Sequence, residues 1–210
     1  MNRQVVNAAQ LNQTGASCLA ANQLEKAQKC FQMALESVTC SSLNAVQPHA
    51  DMKALMLSQE QSSRRCPQEN EGFIYSKPFF FNPEATITEE DVAPYGGVIL
   101  FNLALTYHER SRTVGESSLH VALRLYEKCI SLLKHATSFD CSNVIIAALN
   151  NQARIHEELL DFQKASMRFK LLADFLHRSD VRTDTLEQED LQDIFLNLFF
   201  FKIPTCAAMA

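Results

Sequence analysis

Two histidine–carboxylate runs and seven cysteines are the residues whose types could do chemistry in this 210-residue chain. The runs are His108-Glu109 and His156-Glu157-Glu158. An imidazole beside a carboxylate can move a proton or ligate a metal. A metal site, however, needs three or four converging ligands and a second layer that orients them, and neither run supplies that many. The simpler reading has the rings packing while the carboxylates stay in water. Cys129 and Cys141 flank a turn region, where they would serve as a redox pair or as two buried thiols. No two cysteines form C-x-x-C, and there is no H-E-x-x-H, no glycine-rich phosphate loop and no G-x-S-x-G. The expectation is a chain with no catalytic residues, no metal and no cofactor.

Composition narrows the classes further. Net charge is −5, and neither sign forms a long block. A nucleic-acid binder needs a basic stripe to neutralise phosphates, so none is expected as partner. The longest apolar run, Ile194 to Ile203, is interrupted by Asn197 and Lys202. A membrane span needs about 20 apolar residues. Met1 to Gln10 is polar and lacks an apolar leader core, and the odd cysteine count fits reduced thiols. A cytoplasmic or nuclear location is expected, with no membrane partner.

The elements that would position any site read as helical. The apolar fraction of 47% is that of a globular protein, and five glycines with plentiful Leu, Ala, Gln, Glu and Lys favour helix. Residues 3–20 form a first helix by periodicity, with Val6, Leu11, Thr14, Gly15 and Cys18 inward. Asn22, Gln23 and Leu24 make a turn. A second helix from about Glu25 to Val38 carries Ala27, Phe31 and Ala34 as an i, i+4, i+7 buried stripe. Residues 39–92 break the period. A short helix is predicted around His49 to Leu57 and a mobile loop from Ser58 to Glu71. Gly72 to Phe81 is aromatic, and Pro78 excludes it from a helix interior or a central strand. It reads as extended chain or an edge strand; of two placements, masking a groove of its own molecule or packing on the outside of the helices, the second is favoured. Thr88 to Asp91 and Pro94 mark a helix entry.

Two further helix pairs follow, with Leu103, Ala104 and Tyr107 then Ala122, Tyr126 and Cys129, and with Ala153 and His156 then Ala165, Phe169 and Leu172. Between the members of the middle pair, six extra residues are expected in a turn around Ser111 to Ser118. Thr185 with Gln188 fits a capping box. It opens a last amphipathic helix with Leu191, Ile194, Phe195, Leu198 and Phe199 inward.

Gly15, Cys18, Ala27, Phe31 and Ala34, and the two later stretches that repeat their spacing, resemble the tetratricopeptide repeat. That unit has roughly 34 residues and an A-x3-F pattern in its second helix. The resemblance implies an all-α fold: a right-handed superhelix, or α-solenoid, with a long aromatic insert after repeat one. A single domain over 3–201 would hold repeat one at about 4–38, the insert at 39–92, repeat two at about 95–135, repeat three at about 142–178 and a capping helix at about 185–201. Residues 202–210 would be a flexible tail.

The resemblance also implies a mode of action. First helices of such repeats line a concave face where ligands lie. Carrying the register over gives a peptide-binding groove of Asn12, Gln13, Asn102, Leu105, Asn150, Asn151 and Arg154. Gln13, Asn102 and Asn151 fall at the same place in the three units. A carboxamide there offers both donor and acceptor to an extended backbone, while asparagine is otherwise a poor helix former. The lysines and arginines of a C-terminal-carboxylate clamp are missing, and Arg154 beside Glu157 and Glu158 gives mixed charge instead. The implied function is a protein-binding scaffold for an unidentified protein or peptide. A permanent subunit or homo-oligomer using the C-terminal helix is the alternative.

Overall fold

A computed structural model of the chain describes residues 3–41, 72–81, 92–134, 141–178 and 186–202. The described residues form seven α-helices and no strand: α1 (Arg3–Ala20), α2 (Leu24–Ser41), α3 (Val92–Val114), α4 (Glu116–Leu133), α5 (Ser142–Glu158), α6 (Phe162–Leu176) and α7 (Gln188–Lys202). The short helix expected near 49–57, the loop at 58–71, the acidic entry at 88–91, Thr185 of the capping box and the tail from 203 lie outside the described residues. The chain divides into two compact units. One holds Met1–Pro67 with Lys77–Phe139, the other Gln68–Ser76 with Asp140–Ala210.

In the first unit, α1 and α2 form an antiparallel hairpin. The chain reverses at Ala21 to Gln23, where Asn22 takes φ 56°, a left-handed conformation that asparagine tolerates better than most residues. Gln23 N–H donates to Cys18 O at 2.8 Å and closes the turn. Gly15 lets the helices meet. A Cβ there would stand 2.7 Å from the Phe31 ring. Ala27, Phe31 and Ala34 are fully buried, as their spacing predicts. The buried face of α1 is different from the expected one. It consists of Ala8, Asn12, Gly15, Ala16 and Leu19, while Thr14 is exposed and Val6, Leu11 and Cys18 are half-buried. Hydrophobic periodicity scores an asparagine as outward, so the buried Asn12 turned the expected face by part of a turn.

Helix α3 begins at Val92, with Pro94 in its first turn, where a missing N–H costs nothing. Every residue from Pro94 to His108 is buried. Gly97 is required by packing, since a Cβ there would lie 2.3 Å from Leu133 Cδ2 on α4. The turn into α4 is Gly115 alone, with φ 97°. The extra residues expected as a loop at 111–118 are therefore helical. They lengthen α3 to 23 residues, because one left-handed glycine suffices to reverse the chain. Helix α2 also packs on α3. Gln28 Nε2 donates to Tyr107 Oη at 2.9 Å, and Arg110 Nη1 donates to Gln28 Oε1 at 2.8 Å.

In the second unit, α5 and α6 pair across a turn at Leu159 to Asp161, with Leu160 at φ 58°. Asp161 caps α6 by accepting from Lys164 N–H at 3.2 Å. Helix α5 is buried continuously from Asn143 to Ala153. Helix α6 buries only Ala165, Phe169 and Leu172, the one-sided stripe its spacing predicts. On α7 the expected inward face holds only in part. Ile194 and Leu198 are buried, but Phe195 and Phe199 are exposed, and Asp190 and Asn197 are buried instead. Phe201 meets Phe169 at 4.8 Å between ring centroids. No described helix is long and apolar enough to cross a membrane.

Candidate functional site

Each unit carries a cluster of buried asparagines, and each cluster holds part of the extended segment 72–81. In the first unit, Asn102 of α3 takes both backbone groups of one residue. Its Oδ1 accepts from Phe79 N–H at 2.9 Å, and its Nδ2 donates to Phe79 O at 2.8 Å. Asn12 of α1 supports it, with Asn12 Nδ2 donating to the same carbonyl at 3.1 Å and Asn12 Oδ1 accepting from Asn102 Nδ2 at 2.9 Å. Both side chains are fully buried, so each amide is used as donor and acceptor.

The second unit repeats the device. Asn151 of α5 accepts from Tyr75 N–H at 2.9 Å and donates to Tyr75 O at 2.9 Å. Asn197 of α7 accepts from Phe73 N–H at 3.1 Å and donates to Phe73 O at 2.7 Å. Asn150 stands between them. It donates to Phe73 O at 3.2 Å and to Asn151 Oδ1 at 3.3 Å, and accepts from Asn197 Nδ2 at 2.8 Å.

The pattern has a simple geometry. A carboxamide that takes N–H and C=O of the same residue imitates a hydrogen-bonded pair in an antiparallel ladder. In an extended chain those two groups point to one edge on alternate residues. In the second unit, residues 73 and 75 are two apart and use one edge; in the first, residue 79 does the same. Pro78 has no N–H to offer, and its place next to Phe79 means that none is needed there. It also biases Lys77 toward extended backbone.

Aromatic side chains fix the register in the first unit. The Phe79 ring meets Phe101 edge-on at 5.0 Å, and Phe81 stacks on Tyr95 at 3.9 Å with an interplanar angle of 13°. Phe101 in turn leans on Tyr126 of α4 at 5.4 Å. In the second unit, Tyr75 is buried. The guanidinium of Arg154 covers Gly72 so closely that an added Cβ would lie 2.6 Å from Arg154 Cζ. Arg154 is also paired with Glu157. Burial raises the Glu157 carboxyl above the usual carboxylate range, and Arg154 opposes that shift.

The sequence-predicted site residues divide accordingly. Asn12, Asn102, Asn150 and Asn151 bond the segment, and Arg154 packs on its first residue. Gln13 is exposed on the outer side of α1 and does not replace Asn12, because one residue along a helix is a rotation of about 100°. Leu105 is fully buried rather than open as a pocket wall. The expectation that the aromatic segment packs away from the predicted groove residues is corrected, since in each unit it bonds asparagines among them. Asn197 was missed as a site residue. Its only signal was a lone amide inside the apolar run 194–203.

The other candidate chemistry does not assemble. His108 and His156 are buried, and no group of three or more residues able to hold a metal occurs among the described residues. Cys129 and Cys141 are buried. The thiols brought together are Cys18 and Cys30, and burial, then the neighbouring Cys18, pushes Cys30 upward. Comparison of the chain with family models, curated proteins and solved structures finds no match in any of the three.

Proposed function

We propose that the chain is a protein–protein interaction module of tetratricopeptide type, which binds an extended polypeptide segment through its asparagine carboxamides. The observation that carries this reading is the bonding of Asn102, Asn151 and Asn197, each of which takes both backbone groups of a single extended residue. Such a contact uses no side chain of the guest, so it suits a scaffold that holds backbone first and selects sequence second. The paired helices hold the amides in place before any guest arrives, which lowers the ordering entropy lost on binding. The resemblance of the helix pairs to tetratricopeptide repeats supports the same reading.

The test is a displayed library of random ten-residue peptides, selected on the wild-type chain and on an Asn102→Ala, Asn151→Ala double variant. Peptides that bind the wild type should lose at least tenfold in affinity for the variant, equivalent to about 1.4 kcal/mol. Peptides that bind both alike would remove the amides from the mechanism.

A second reading is favoured by one surface. Phe195, Leu196, Phe199 and Phe200 of α7 are all exposed, and exposed apolar patches mark contact sites. A permanent subunit or homo-oligomer would use them. Sedimentation over a range of concentrations separates the two, since an oligomer changes mass and a monomeric receptor does not.

A further inference from the structure

The amides of both clusters already hold a guest, and it belongs to the same chain. We infer that the parts of residues 72–81 held in each unit are built-in pseudo-ligands, and that the partner displacing them is an extended segment with aromatic side chains at i and i+2, like Phe79 and Phe81 in the first unit and Phe73 and Tyr75 in the second. The inference rests on the peptide-binding reading above and adds the ligand's chemistry and its competition with the chain itself.

Carboxamides alone do not choose a sequence, because every residue but proline presents the same backbone pair. The choice comes from what lies beside them. Tyr95 offers a flat face to Phe81, and Phe101 offers a ring to the edge of Phe79. Aromatic pairs at such centroid distances are favourable beyond the area they bury. Two aromatic residues at i and i+2 are therefore selected next to the Asn102 clamp. In the second unit, buried Tyr75 follows Phe73 at the same spacing, one on Asn151 and the other on Asn197. Gly72 completes the pattern, since a side chain there would have to push the Arg154 guanidinium aside.

The segment also lies on its helices rather than beneath them. Phe80 is 50% exposed, Ser76 and Lys77 are exposed, and Phe73, Ile74, Pro78 and Phe79 are half-buried. Only Tyr75 and Phe81 of it are buried, so a displacing segment must refill those two places with rings of its own. A tethered guest competes at an effective concentration on the order of millimolar. Weak peptides are thus excluded, and only a better match displaces residues 72–81.

The experiment uses a fluorescent peptide of residues 72–81 and the full chain carrying Phe79→Ser and Phe81→Ser. That variant loses its own rings but keeps Asn12, Asn102, Tyr95 and Phe101. It should bind the peptide at least about tenfold more tightly than the wild-type chain, in which the tethered copy competes. Adding Asn102→Ala should abolish the gain, and a peptide with Phe79→Ser and Phe81→Ser should bind neither protein. A folded variant that ignores the peptide, or binds it regardless of Asn102, overturns the inference.

Hydrogen exchange on the wild-type chain gives a second reading that needs no folded variant. The Tyr75 and Phe79 amides should exchange through local opening while Leu103 and Ala148 stay protected. Exchange of all four only on global unfolding would mean the segment never leaves, and would equally overturn the inference. Library peptides that depend on Asn102 but lack the aromatic spacing would sink the inference while preserving the proposed function. Failure of library and peptide together would sink both.

Discussion

Replacing Asn102 with alanine tests the clamp most directly. The substitution removes an acceptor for Phe79 N–H and donors to Phe79 O and Asn12 Oδ1, at 2.9, 2.8 and 2.9 Å. Each such bond contributes about 1 kcal/mol net, and an orphaned buried partner costs more. Asn12 still donates to the Phe79 carbonyl, which limits the loss there. Alanine regains up to about 0.7 kcal/mol of helix propensity. The balance is a destabilisation of roughly 2–3 kcal/mol, built from those terms. Urea unfolding followed by circular dichroism measures it. Gln13→Ala, on an exposed position of α1, is the matched control and should stay within about 0.5 kcal/mol of wild type. Asn102→Asp refines the test. It keeps the acceptor for Phe79 N–H but turns a carboxylate toward two carbonyl oxygens in a buried site. It should be worse than alanine at neutral pH, because an unpaired buried charge is costly. Its folded-state pKa is then raised above the unfolded value. The stability that protonation restores is fully present below the unfolded pKa and lost as pH rises through the folded one. Equal stability of Asn102→Ala and Gln13→Ala would refute the reasoning, since the buried amide would then be contributing nothing.

Other outcomes follow from the same geometry. Gly97→Ala should destabilise by about 1–3 kcal/mol, because its Cβ would enter Leu133 and overpack the α3–α4 seam. Its neighbour Gly96→Ala meets Leu132 Cδ1 only at 3.7 Å and should stabilise by up to about 1 kcal/mol through helix propensity; thermal unfolding of the pair reads both signs. Asn197→Ala removes the bonds to both backbone groups of Phe73 and to Asn150, and should cost about 2–3 kcal/mol in urea unfolding. Asp161 is held below its usual range by hydrogen bonds from the Lys164 side chain and backbone. Its contribution to the start of α6 is therefore present above the unfolded pKa and lost as pH falls through the folded one. Asp161→Asn keeps the cap and should remove that pH dependence, as followed by NMR of the α6 amides.

Much of the backbone was legible because it is set locally. Gly15, Ala27, Phe31 and Ala34 specify a close helix pair by size alone, and Phe31 indeed fills the space that Gly15 leaves. The stripe Ala165, Phe169 and Leu172 behaves the same way. The middle turn was misplaced because counting residues does not say whether extra ones coil or extend a helix. The φ of Gly115 decided it.

The amide site was half legible. Asn102 and Asn151 stand out as asparagines in register within helices, where propensity alone would not put them. Asn12 entered only through the register carried over from the repeats, and Asn197 was missed, for a shared physical reason. Periodicity sorts residues by hydrophobicity, and a buried asparagine inverts the sort. It moved the expected face of α1 toward Thr14 and Cys18 and that of α7 toward Phe195 and Phe199. A buried amide is stable only when its hydrogen bonds are met, and the groups that meet them lie far along the chain. Asn197 bonds Phe73, 124 residues away, and Asn12 bonds Phe79, 67 away. The sequence by itself determined that the chain is helical, where its small and large residues pair, and that 72–81 is extended. Only the tertiary structure decided which polar side chains turn inward and that the chain's own aromatic segment meets them, because those depend on partners that local pattern cannot see.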